Sequence, residues 1–112
     1  MATIKSYTGI SQAKVLAEIL PIESADMSWV STGLGKPFAR TIPIKGDPEE
    51  LCACWSLAAL LDILPKIYDL KPILDLEECS IQYSGIDLYV VASNPVDACY
   101  EMILKLNELN LL

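Results

Sequence analysis

The sequence predicts an α+β domain of two layers, in the order α-ββ-α-ββ-α, with a mainly antiparallel four-stranded sheet covered by helices on one face. Three observations predict it. Short runs of strand formers come in pairs separated by glycine-bearing breaks, as hairpins require. Both ends of the chain carry apolar residues at helical spacing. Between the two pairs stands a long apolar run bracketed by Asp47-Pro48 and Leu64-Pro65, which read as a helix start and a helix stop.

The elements follow in order. Ser11 to Leu20 places Ala13, Leu16, Ala17 and Leu20 on one helical face and ends at Pro21, so it is the first helix. Asp26–Val30 and Phe38–Ile42 form the first hairpin, with Gly33, Gly35 and Pro37 between them, and Pro43 marks the second strand as an edge. From Asp47 to Pro65 the spacing predicts a buried helix, with Ser56 the only polar side chain between Leu51 and Leu61. Lys66 to Glu78, interrupted by Pro72, reads as a connection. Cys79–Tyr83 and Ile86–Val91 flank Ser84-Gly85 as a second hairpin. Strand alternation there puts Leu88 and Val90 on one face and Tyr89 and Val91 on the other. Asn94-Pro95-Val96-Asp97 repeats the start seen at Asp47 and opens a last helix from Pro95 to Leu109. Its polar stripe is Asp97, Glu101, Lys105 and Glu108, with Glu101 and Lys105 ordered for an ion pair. The recurring strand-strand-helix unit is compatible with an internal duplication or with independent origin.

Composition narrows the function. At 112 residues the chain is expected to be one domain spanning 1–112, burying roughly 65% of its unfolded surface. A hydrophobic content of 53% and a mean hydropathy of +0.38 are high for so small a domain and favour self-association. The longest apolar run is about half of the roughly 20 residues a membrane span needs. The first residues show neither a continuous apolar stretch nor a small-residue cleavage pattern, so a cytoplasmic location with reduced thiols is expected. A net charge of -7, with no basic stripe, argues against direct nucleic-acid binding. It leaves open an acidic decoy of nucleic acid.

The chemistry-bearing residues point away from catalysis. There is no histidine, so the usual general base, nucleophile partner and zinc ligand are missing. Cys52 has Glu49 and Glu50 beside it, which oppose a thiolate. On the expected helix Cys52 and Cys54 lie about 200° apart and do not share one ion. No catalytic set, metal set or cofactor is expected. Two candidate binding surfaces remain. Tyr89 on the outer sheet face, together with Tyr100, Ile103 and Leu104 on a last helix that is apolar over more than one face, suggests a seam for self-association or for a protein partner. Gly33, Gly35, Lys36 and Arg40 form the most anion-friendly segment, though without the spacing of a phosphate-binding loop.

The blocks Trp55-Ser56-Leu57-Ala58-Ala59-Leu60-Leu61, Leu64-Pro65 and Pro95 to Leu109, with Leu20 to Met27, resemble a set of short uncharacterised proteins from gut anaerobes and their mobile elements. The resemblance covers roughly a third of the chain and implies a recurrent domain, with no activity, ligand or catalytic residue attached to it. Self-associating, non-enzymatic interaction is therefore the leading expectation, and small-ligand or anion binding the rival.

Overall fold

The computed structural model describes residues 5–31, 35–41 and 49–112. Among them are three α-helices and two three-stranded antiparallel sheets. Helix α1 (Ile10–Ile19) leads through a 3-10 turn at Ile22–Ser24 into strands β1 (Met27–Val30), β2 (Phe38–Arg40) and β3 (Glu50–Cys54). Helix α2 (Leu57–Ile63) is followed by β4 (Pro72–Asp75), β5 (Ser80–Tyr83) and β6 (Leu88–Val91), and the described chain closes with α3 (Pro95–Glu108) and its tail.

The single four-stranded sheet expected from the sequence is corrected to two sheets, ordered β2-β1-β3 and β4-β5-β6. Each expected hairpin has recruited a third strand from a segment read otherwise. In the first sheet the recruit is Glu50–Cys54, expected to be helical, which pairs with β1 so that Ser28 faces Ala53 and Met27 faces Cys54. A short apolar run is equally compatible with a buried strand, and the unsatisfied edge of β1 supplies ladder partners that decide the matter. The helix then starts nine residues later than expected, where Ser56 caps it by accepting a hydrogen bond from the Ala59 amide at 3.2 Å. Asp47 and Pro48 lie outside the described residues.

In the second sheet the recruit is Pro72–Asp75, expected to be a connection. Proline is tolerated there because β4 is an edge strand and Pro72 is its first residue. The turn into β5 is fixed by Asp75, whose Oδ1 accepts from the amides of Glu77 at 2.9 Å and Glu78 at 3.1 Å. The β5–β6 link holds four residues, Ser84 to Asp87, rather than the expected two, with Gly85 at a φ of 85°. The sheet orders also differ: the first strand in sequence is central in one sheet and at the edge in the other, a topology that a simple repeat does not produce.

One apolar cluster joins all these parts. Ala13 and Leu16 of α1, Trp55 and Leu60, Ile81 and Tyr83 of β5, and Val96, Cys99, Met102, Ile103 and Leu106 of α3 are all buried within it. Helix α3 packs on β5, β6 and α2. Its wide apolar surface is thus largely covered from within the chain, which removes the sequence argument that it must face a partner. Trp55 is held by its indole N–H, which donates to Ser24 Oγ at 3.0 Å. Thr8 anchors the N-terminal segment, accepting from the Trp55 amide at 3.2 Å and, through its carbonyl, from the Trp29 indole at 3.0 Å.

Candidate functional site

Strand pairing in the second sheet sorts its side chains into two faces. Leu74, Ile81 and Val90 are register partners in one row, and Pro72, Tyr83 and Leu88 in another; both rows turn toward α3 and the core. The opposite face carries Ile73, Gln82 and Tyr89 in one row and Asp75, Ser80 and Val91 in the next. Ile73, Tyr89 and Val91 are 50%, 45% and 53% exposed, so an apolar trio stands open on the outer face, with Leu76 exposed beyond the end of β4. Tyr89 is fixed in place: its hydroxyl donates to Glu78 Oε1, while Ser80 Oγ donates to Glu78 Oε2 at 3.2 Å. The Glu78 hydrogen bond is also the main reason the Tyr89 hydroxyl holds its proton above the ordinary tyrosine range.

Of the four residues assigned to a contact seam, the structure brings only Tyr89 to the outer sheet face. Ile103 is 0% exposed and is corrected from contact residue to core residue. Tyr100 and Leu104 are half-buried, one turn apart on α3, and Leu104 lines the open cleft described below. Sequence reasoning missed Ile73 because Pro72 disguised the strand. The available signal was an apolar pair followed by Asp75, a residue suited to ending a strand in a turn.

The anion-binding segment falls only in part within the described residues. Gly33 lies outside the described residues. Gly35 and Lys36 are exposed, whereas Arg40 is half-buried on β2 opposite Ser28. None of Gly35, Lys36 and Arg40 lines either of the clefts described below.

Cys52 and Cys54 sit on a strand, not a helix, so they share a face instead of lying on opposite sides. Among the described residues no group of three histidine, cysteine or acidic side chains is placed to hold a metal. Burial raises the Cys52 thiol, with Lys14 opposing and Glu50 adding to the shift. Burial also raises Cys54 against its hydrogen bonds with Thr8, and pushes Cys99 up to about 12. None of these three is poised as a thiolate.

A polar knot ties the N-terminal segment to α3. Lys5 Nζ donates to Asp97 Oδ1 at 2.7 Å and to Gln12 Oε1 at 2.8 Å, and Gln12 Nε2 donates to Asp97 Oδ1 at 2.8 Å. Asn94 caps α3 by accepting from the Asp97 amide at 2.9 Å, and its Nδ2 donates to Asp97 Oδ2 at the same distance. Beside the knot an open cleft of about 650 Å³ runs between the end of β6 and α3, lined by Val91 and Ser93 on one side and Glu101, Leu104, Lys105 and Glu108 on the other. A second cleft, of about 440 Å³, lies between α2 and β4 beside Leu61, Lys66 and Lys71. No helix among the described residues is long and apolar enough to cross a membrane. Comparison with protein-family models, with curated proteins and with solved structures finds no match.

Proposed function

We propose that the chain is a non-enzymatic interaction module of the cytoplasm that self-associates through the outer face of the second sheet. The observation that carries this reading is the open apolar trio Ile73, Tyr89 and Val91: Tyr89 and Val91 are successive outward residues of β6, and Ile73 lies in the Tyr89 row on the far side of Gln82. Aromatic and aliphatic side chains grouped on a sheet face form the kind of anchor that dominates protein interfaces, and the Glu78 bond already holds the Tyr89 ring, so less freedom is lost on docking. A second copy is the proposed partner because a hydrophobic content of 53% and a mean hydropathy of +0.38 are high for so small a domain and favour self-association.

The test is sedimentation velocity of the full chain beside the variant carrying Ile73→Glu and Tyr89→Glu. Both residues are exposed, so the fold should survive. A dimer or higher oligomer that becomes monomeric in the variant is the expected outcome. A monomeric wild type, or a variant that keeps the wild-type mass, refutes the assignment.

A further inference from the structure

We infer that the cleft between β6 and α3 is a docking groove for an extended basic peptide, which adds a strand to the free edge of β6. The inference uses the backbone edge of β6, whereas the proposed self-association uses side chains of the outer face, and Val91 belongs to both surfaces. Among the described residues β6 has a partner on one side only, β5. The Ala92 amide donates to the Cys79 carbonyl at 3.0 Å, and the register continues through Val90 opposite Ile81 and Leu88 opposite Tyr83. In an antiparallel ladder the bonded pairs alternate, so Leu88, Val90 and Ala92 spend their backbone groups on β5, and the N–H and C=O groups of Tyr89 and Val91 turn to the open edge. An edge of this kind is a template for another strand.

The groove alongside decides which strand. Its α3 wall presents Glu101 and Glu108, two turns apart on nearly the same face of the helix, with Leu104 and Lys105 between them. Among the described residues no ion pair joins Glu101 to Lys105, the pairing that their order on the helix suggested. Asp97, at the end of the groove, is already matched by Lys5 at 2.7 Å. The wall therefore carries two acids, Glu101 and Glu108, against one lysine, Lys105, a net negative charge, and the whole chain, with 15 acidic and 8 basic residues, adds a field that draws cationic segments toward it. An extended segment with lysine or arginine facing α3 and an apolar side chain over Leu104 satisfies the backbone edge, the acids and the apolar floor together.

The experiment titrates the isotope-labelled full chain with an acetylated, amidated peptide in which every second residue runs lysine, valine, lysine with threonine between them, so that the charges and the apolar side chain share one strand face, and follows backbone amide resonances. A second peptide of the same sequence is N-methylated at every central amide, which keeps its charges and removes its donors. Saturable shifts at Tyr89, Val91 and Ser93 are expected. Affinity should fall by about tenfold or more both with the methylated peptide and in the Glu101→Lys, Glu108→Lys variant. Equal binding of the methylated peptide means attraction by charge alone and overturns the inference. So do shifts confined to other surfaces, the absence of any shift at about 1 mM peptide, or Tyr89 and Val91 amides already paired with a second copy. The methylated peptide is read on the wild-type chain, so the result does not depend on the variant folding.

Discussion

Asp97 joins three segments through one carboxylate, and its electrostatics give a pH signature. Burial opposes its charge, but the hydrogen bonds from Lys5, Gln12 and Asn94, with the Lys5 charge, outweigh burial and hold the carboxyl below its ordinary value. A carboxyl depressed on folding contributes stability that is present above its unfolded value, near 3.8, and lost as the pH falls through the folded value. Asp97→Asn is expected to cost about 2 kcal/mol at neutral pH and to flatten the acid limb of the stability curve. Urea unfolding at a series of pH values checks this, and wild-type and variant curves that stay parallel through the acid limb contradict it. Tyr83 gives the mirror case. Burial pushes its hydroxyl up to about 12, and that hydroxyl donates to the Pro65 carbonyl at 2.7 Å. The raised value makes its contribution complete below the unfolded value of 10.0 and lost as the pH rises toward about 12. Tyr83→Phe should cost about 1 kcal/mol, and an ultraviolet titration should lose its last-ionising tyrosine; the same late phase in the variant would reassign it.

Helix α2 has seven residues, too few to persist without its cap and its packing. Ser56 serves two partners there, accepting from the Ala59 amide and donating its hydroxyl to Asp26 Oδ2, while its own amide donates to Asp26 Oδ1 at 2.9 Å. Ser56→Ala is expected to destabilise by about 1 kcal/mol or slightly more, and Asp26→Ala to add little in the Ser56→Ala background, since both act on the same helix start; a double-mutant cycle measures the coupling, and full additivity contradicts the shared role. The sequence signalled α1, α3, both hairpins and the outward turn of Tyr89 through period, caps and glycine breaks, all of them local. It misled at Glu50–Cys54, where an apolar run fits either a buried helix or a buried strand, and only the distant edge of β1 discriminates. Reading Ser56 as the lone polar residue of a long helix, rather than as its start, is the same error seen from the other side. The contact seam was partly legible: alternation exposed Tyr89, but the number of apolar residues on α3 could not tell a partner's surface from the protein's own α2, β5 and β6.

Although the two sheets share no strand pairing among the described residues, the core residues of α1, β3, β5 and α3 form one connected cluster, and the Lys5, Gln12 and Asp97 knot spans the same division at the surface. A connected core transmits the loss of any wall to the rest, because dense packing leaves neighbours without partner atoms when one element departs. The chain is therefore expected to unfold as one unit, with tryptophan fluorescence, dominated by the change around buried Trp55, and far-ultraviolet circular dichroism giving the same urea midpoint. Leu16→Ala probes this from the side of α1. Leu16 is fully buried, so its truncation should cost about 3 kcal/mol and move both midpoints by the same amount, although most of the dichroism of α3 arises on the far side of the core. A variant in which fluorescence shifts while the helical signal keeps its wild-type midpoint would show that the second sheet and α3 fold independently, and the cluster would then be two cores in contact.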